Sequence, residues 1–317
     1  MKYRRLGDAG IKVSVVSLGG WLTFGNSLTD KKLAREIITL AFDNGINFFD
    51  LADVYAVGEA ERLMGSILRE FPRHSLVISS KLFWPMSEDV NDRGLSRKHI
   101  MESIDKSLER LGTDYLDIYF CHRFDEETPV EETARAMDDL IHRGKILYWG
   151  TSEWSAEQIQ EAINVCEKYG LYKPQVEQPH YSILHRRRVE DEILPLTEPR
   201  GIGLVVFSPL EGGFLSGKYD NGIPEDSRLA REDWLKGRHY VEAKLNAVRQ
   251  FKTIADEVGV TRSQLAIAWT LRQSGVSSAI TGATKVAQLE ETLSAIDLEL
   301  DDAVLDRIDA LFEGVSI

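Results

Sequence analysis

Leu76-Val77-Ile78-Ser79-Ser80-Lys81, then Ser96-Arg97-Lys98-His99-Ile100 running on to Leu111-Gly112, then Leu116-Asp117-Ile118-Tyr119-Phe120-Cys121-His122: this stretch decides the fold. The outer runs are short and mostly apolar, as strands buried on both faces are. Between them Ser96 suits a helix N-cap, and Ile100, Ile104, Leu108 and Leu111 recur at the helical period before Gly112 ends the pattern. Strand, crossover helix, strand is what a parallel sheet requires, because a tight turn cannot join parallel neighbours.

The pattern repeats in both directions. Val15–Leu18, Asn47–Asp50, Ile146–Gly150, Gln175–Gln178, Leu204–Phe207 and Ser277–Thr281 bring the candidate strands to eight, most of them 29 to 40 residues apart. Helical stretches fill the gaps. Thr29 or Asp30 opens one that Gly45 closes, Val130–His142 forms another that stops at Gly144, and Ser155 opens a third over Ile159, Ile163 and Cys166. Eight βα units predict an α/β protein of the (β/α)8 TIM-barrel class, with residues 1–317 as a single domain. A doubly wound open sheet is the competing architecture, but no G-x-G-x-x-G follows the first strand. Two segments break the regular step. Residues 3–14 are expected to form an N-terminal hairpin, turning at Asp8-Ala9-Gly10 and plugging the barrel floor. The step from 204 to 277 is 73 residues, a long insertion after strand 7. It holds a glycine-rich, charged stretch (212–240) and helical patterns at Val241–Val258 and Arg262–Ser274, placed to lie over the active-site face as a lid.

Composition narrows the function classes. Of 317 residues, 43% are apolar and 28% charged, which excludes collagen-like and disordered chains. No apolar run reaches the ~18 residues of a spanning helix, so no membrane insertion is expected. A formal charge of −13 disfavours nucleic acid as a partner, and Arg186-Arg187-Arg188, followed by acids, reads as a solvated helix start. The two cysteines, Cys121 and Cys166, cannot form a disulfide framework, and Met1–Asp8 turns polar at once, so a cytoplasmic protein without a secretory leader is expected. No metal site is expected: His74, His99, His122, His142, His180, His185 and His239 lack zinc-site spacing.

Three polar residues end apolar runs: Asp50, Lys81 and His122, with Tyr55 on the loop after Asp50. Singly, each reads as a cap or a satisfied rim residue; a barrel gathers strand ends around one mouth and brings them together. A phenol with a pKa near ~10 is a weak acid at neutral pH, an adjacent ammonium lowers that value, and a carboxylate holds the ammonium charged. Asp50, Lys81 and Tyr55 make such a relay, with His122 orienting a carbonyl. A tyrosine acid without a metal or a nucleophile suits protonation of an oxygen whose carbon receives hydride, which calls for a nicotinamide cofactor.

Asp50-Leu51-Ala52-Asp53-Val54-Tyr55, Lys81 and His122 resemble the Asp, Tyr, Lys and His tetrad of the aldo-keto reductase superfamily. Gly20-Trp21-Leu22-Thr23-Phe24-Gly25, Arg110-Leu111-Gly112-Thr113-Asp114-Tyr115-Leu116-Asp117 and Ser208-Pro209-Leu210 place the resemblance nearest the branch of voltage-gated potassium channel β subunits and their bacterial relatives. The resemblance implies a (β/α)8 barrel that binds NADP(H) without a glycine fingerprint and reduces aldehydes or ketones, small-molecule carbonyl substrates, with Tyr55 as general acid. It also implies a homo-tetramer or octamer. By position, Gly20, Trp21 and Asp50 border the cofactor, Ser152 and Gln178 hold the nicotinamide carboxamide, and Phe207 stacks on its ring. Ser208, Pro209, Leu210 and Gly212 cross the pyrophosphate, which Lys218 and Arg228 neutralise. Gly282, Thr284, Gln288, Glu291 and Thr292 take the adenosine end, where the backbone N–H groups of Thr284-Lys285 suit a 2′-phosphate. Trp21, Tyr55, Trp84 and His122 line the substrate pocket, favouring apolar or aromatic aldehydes, with packing under the lid as the other reading of Trp84. Glu153 stands where many relatives carry Arg or Asn, and Gln288 where many carry Arg.

Other readings compete. A redox-cofactor-sensing subunit with slow turnover fits the channel-like resemblance, although His122 favours an enzyme. A barrel hydrolase with paired carboxylates would need a second acid beside Asp50, and Asp125 is the nearest candidate. Gly212-Gly213-Phe214-Leu215-Ser216-Gly217-Lys218 imitates a phosphate loop, but Tyr219 replaces the Ser or Thr that binds Mg²⁺ and Pro224 opposes the helix.

Overall fold

The computed structural model describes every residue except 234, 235, 238, 239 and 317. His239 therefore lies outside the described residues. An antiparallel hairpin, β1 (Tyr3–Arg5) and β2 (Lys12–Ser14), precedes eight parallel strands: β3 (Val16–Gly19), β4 (Phe48–Asp50), β5 (Val77–Leu82), β6 (Leu116–Cys121), β7 (Ile146–Ser152), β8 (Val176–Gln178), β9 (Gly203–Phe207) and β10 (Val276–Thr281). β10 pairs with both β9 and β3, so the sheet closes into a barrel. The chain is thus a (β/α)8 TIM barrel, and the open doubly wound sheet is excluded. Strand positions follow the apolar runs: β6 coincides with its run, β3 lies one residue later, and β7 continues to Ser152, carrying that hydroxyl to the strand end.

The helices follow their caps. Asp30, not Thr29, opens α1 (Lys31–Asp43), its carboxylate accepting from the backbone N–H groups of Lys32 and Leu33. α2 (Glu59–Leu68) follows a turn at Tyr55–Gly58. Ser96 caps α3 (Arg97–Leu111) through the His99 N–H, and Gly112 ends it at φ 66°. α4 (Val130–His142) packs beside α5 (Ala156–Tyr169), which opens with a reciprocal Ser155–Gln158 capping box. Among the described residues no helix is long and apolar enough to cross a membrane.

One end of the barrel is shut. Leu6 and Val13 of the hairpin are fully buried against Phe48, Val77, Ile118, Phe120, Val176 and Val205. Gly7 lets the hairpin approach this closely: its φ is 57°, and a Cβ there would meet the Gly201 carbonyl oxygen at 2.2 Å. The functional face is left at the opposite, C-terminal end of the strands. After β9 the chain makes a turn at Glu211–Ser216, a short helix at Arg228–Arg231, and two longer helices at Glu242–Val258 and Arg262–Leu271. Arg262 clips this insertion down, donating to the Asp220 carboxylate at 2.8 Å and to the Val248 carbonyl at 2.9 Å.

Candidate active site

Three consecutive strand ends build the centre. Asp50 closes β4, Lys81 lies near the end of β5, and His122 follows β6. Tyr55 sits on the turn after β4, where Ala56 and Val57 take positive φ values of 48° and 52°. Lys81 is fully buried, and its Nζ donates to Asp50 Oδ2 at 2.7 Å and to the Leu51 carbonyl at 2.6 Å, and lies 3.1 Å from Tyr55 Oη. The other Asp50 oxygen accepts from Ser79 Oγ at 2.8 Å and from Gln178 Nε2 at 2.9 Å. The Tyr55 and His122 rings meet edge-on with centroids 5.9 Å apart. Every non-glycine residue of positive φ among the described residues (Leu22, Ala56, Val57, Phe83, Glu153, Ser208 and Glu211) lies on a loop leaving the C-terminal end of a barrel strand. Backbone strain is concentrated on this face, as it is at functional sites.

Burial, not the neighbouring ammonium, decides the acidity of the phenol. Burial and then the Asp50 carboxylate hold Tyr55 well above its ordinary value, with Arg123 pulling downward. This corrects the expectation of a lowered phenol: Lys81 is within reach, but Asp50 already neutralises its charge. Burial likewise lowers the Lys81 ammonium, opposed by Asp50. His122 falls well below its ordinary value through burial and then the Lys81 and Arg123 cations, so its imidazole is neutral at pH 7. Its Nδ1 is buried without a hydrogen-bond partner among the described residues. Asp53, just behind Tyr55, is pushed up to about 7, mainly by burial and by Glu61.

A cleft of about 690 Å³ opens above these groups. Asp50, Tyr55 and His122 line it, together with Trp21, Trp84, Ser152, Gln178, Phe207, Ser208, Pro209, Leu210, Gly212, Lys218, Arg228, Gly282, Thr284, Gln288, Glu291 and Thr292. Two expected residues do not: Lys81 lies beneath the floor, and Gly20 stands behind the wall, its N–H donating to the Asp50 carbonyl at 2.8 Å. Ser152 Oγ donates to the Gln178 carbonyl at 2.9 Å, tying both residues to the Asp50 network. Trp21 meets Phe207 edge-on at 6.3 Å, and Trp84 meets His122 edge-on at 6.3 Å. Trp84 is 38% exposed, so it is a pocket wall rather than a residue packed away under the lid.

The far end of the cleft is cationic: Lys218, Arg228, Arg231 and Lys285 line it. Desolvation and then Arg228 push the Lys218 ammonium down to about 8, Asp226 opposing; because the side chain is exposed, water tempers the first effect. A Cβ on Gly213 would come within 2.5 Å of Lys218 Nζ, so the glycine lets the ammonium lie across the backbone. Crowded cations that lower one another's proton affinity fit an anion such as a pyrophosphate. With aromatic walls and amide groups at the near end, the residues fit a nicotinamide dinucleotide.

Sequence reading missed several features of the wall. His180 stacks on Phe207 at 5.0 Å and on His185 at 4.1 Å, and its Nε2 lies 2.7 Å from Glu211 Oε1. Arg123 also lines the cleft, and its place directly after His122 could have signalled it. Other expectations are corrected. The Thr284 and Lys285 N–H groups are occupied, donating to Gln288 Oε1 at 2.8 and 3.2 Å. Glu153 does not line the cleft; it accepts from the His180 N–H at 2.7 Å and pairs with Arg188 at 3.3 Å. Asp125 accepts from the Leu95 N–H and the Thr128 hydroxyl, both at 2.7 Å, so it shapes its loop and forms no carboxylate pair with Asp50. Arg186 is not a solvated helix start but is largely buried between Glu190 and Asp309.

A closed barrel with a lysine–carboxylate–tyrosine cluster at its mouth defines a class, and comparison with known proteins agrees. Residues 15–313 match the Aldo/keto reductase family. The chain belongs to that family, whose members oxidise and reduce carbonyl groups and generally bind NAD(P)H. Among its relatives is a protein of Arabidopsis thaliana named as a probable voltage-gated potassium channel subunit beta, 49% identical over 99% of this chain and 97% of its own length. A protein of the same name from Oryza sativa subsp. japonica is 48% identical over the same shares.

Proposed function

We propose that this protein is an NADPH-dependent reductase of aldehydes and ketones, with Tyr55 as the general acid. The observation that carries the reading is the buried Asp50–Lys81–Tyr55 relay, with contacts of 2.7 and 3.1 Å, at the floor of a cleft with a cationic far end. The bound cofactor would supply hydride to the carbonyl carbon. Tyr55 gives its proton to the carbonyl oxygen. An alkoxide is a much stronger base than a phenolate, so a phenol above its ordinary pKa still gives up that proton. Lys81 stabilises the phenolate left behind, at 3.1 Å from its oxygen, and Asp50 keeps Lys81 charged and pointed. Neutral His122 keeps an N–H with which to orient the carbonyl.

For the cofactor, Ser152 and Gln178 would take the carboxamide and Phe207 would stack on the ring. Ser208, Pro209, Leu210 and Gly212 would pass the pyrophosphate to Lys218 and Arg228. Gly282, Thr284, Gln288, Glu291 and Thr292 would hold the adenosine. Gln288 would have to turn from the N–H groups of Thr284 and Lys285 before a 2′-phosphate used them. Residues 1–317 would act as one domain, in the cytoplasm and as a homo-tetramer or octamer, an assembly that light scattering reads directly.

The names of the plant relatives favour a second reading, a cofactor-sensing subunit with slow turnover. Following NADPH and NADH consumption with 4-nitrobenzaldehyde separates the two. A reductase turns over many times and prefers NADPH; one hydride transfer per chain followed by very slow cofactor release would support the sensor.

A further inference from the structure

The tetrad end of the cleft carries one charge that the chemistry above leaves unused. Arg123 is half-buried and lines the cleft beside Trp84. Its Cζ lies 5.6 Å from the Trp84 ring centroid, and Nη1 donates to the His122 carbonyl. These contacts hold the guanidinium beside Trp84 and use one of its donors. No carboxylate among the described residues forms an ion pair with it. The acids that could do so are engaged: Asp125 by Leu95 N–H and Thr128 at 2.7 Å, Glu153 by Arg188 at 3.3 Å, and Asp50 by Lys81 at 2.7 Å. His122 and Tyr55 are neutral. With Asp53, buried behind Tyr55, only about half-charged near pH 7, the groups at the substrate end of the cleft still sum to a positive charge in a chain whose formal charge is −13.

We propose that this pocket selects carbonyl substrates that also carry a carboxylate, which Arg123 binds while Tyr55 and His122 hold the carbonyl oxygen. The proposal rests on the reductase reading and names its substrate class. A guanidinium is a planar fork, and with one donor engaged its remaining N–H groups suit a planar two-oxygen group. The cations suited to phosphate cluster at the other end of the cleft. A half-buried guanidinium without a counter-ion favours whichever ligand brings one.

The test compares 4-carboxybenzaldehyde with 4-nitrobenzaldehyde, which is of similar size, electron-poor and neutral, in the wild type, Arg123→Gln and Arg123→Lys. The ratio of kcat/KM values, carboxylate over nitro, is expected to fall by about tenfold or more in Arg123→Gln, mostly through KM of the carboxylate, and by less in Arg123→Lys. An unchanged ratio, including an equal loss on both aldehydes, overturns the proposal and leaves Arg123 a tuner of Tyr55. If the wild type reduces neither aldehyde, the reductase reading fails, and calorimetry still decides the subsite. 4-(Hydroxymethyl)benzoate is titrated into the protein with and without NADP+, with 4-nitrobenzyl alcohol as the neutral control. Tighter binding of the carboxylate that Arg123→Gln weakens about tenfold supports the proposal, and equal binding by both proteins overturns it.

Discussion

Replacing Asp50 by Asn keeps an oxygen beside Lys81 but removes its charge. At the observed 2.7 Å, a pair of unit charges in an effective dielectric of about 20 attracts by about 6 kcal/mol. Relaxation and the remaining acceptors on Lys81, the Leu51 carbonyl and Tyr55 Oη, reduce the loss to about 3–5 kcal/mol, the usual cost of stranding a buried charge. With an unfolding entropy of about 2.1 cal/mol/K per residue, a chain of 317 residues then melts about 4–8 °C lower. The sign of the pH dependence follows. Without Asp50 the folded-state pKa of Lys81 drops further below its unfolded value. The unfolded chain then binds more protons between the two values, and stability rises with pH across that window. The deficit of Asp50→Asn should be largest near neutral pH and shrink toward pH ~10, where unfolded lysine loses its proton. The assay is calorimetric melting of the wild type, Asp50→Asn, Lys81→Met and the double variant. A coupling energy under about 1 kcal/mol, or a deficit that does not change with pH, would refute this account of the pair.

Three further outcomes follow from the geometry. Glu177 is wholly buried, and burial pushes its carboxyl up to about 8; the folded state holds that proton better than the unfolded chain, so wild-type stability falls as pH rises from about 4 to 8. Glu177→Gln should flatten that fall, by an amount on the order of a few kcal/mol in urea unfolding, and an unchanged slope would count against it. Lys218→Met should weaken NADPH binding about tenfold or more in a fluorescence titration. Wild-type affinity should decline on the alkaline side, between about pH 8 and the ordinary lysine range, as Lys218 loses its charge, and the variant should lack that decline. Leu6→Ala, at the barrel floor, should cost about 2–5 kcal/mol of stability while leaving the NADPH titration unaltered, because Leu6 packs only at the closed end.

The barrel was legible because its strands are buried on both faces and therefore read as apolar runs; β6 needed no adjustment at either end. Asp50, Lys81 and His122 were legible for the same reason, since each interrupts a run at the point where a barrel strand emerges. What depends on depth was not. The direction of the Tyr55 shift reverses because desolvation outweighs a lysine whose charge is already matched, and burial has no local sequence signal. Gln288 capping the Thr284 and Lys285 N–H groups is a choice between two hydrogen-bonding partners that residue types alone do not settle. The His185–His180–Phe207 stack joins the loop after β8 to the end of β9, an approach that only the closed barrel fixes.

The proton-donor role of Tyr55 is tested most directly by Tyr55→Phe in protein loaded with NADPH. Turnover of 4-nitrobenzaldehyde should fall by about 10²–10⁴-fold, the contribution of a positioned acid, while the NADPH dissociation constant stays within about threefold. Turnover per bound cofactor equal to that of the wild type would contradict the account.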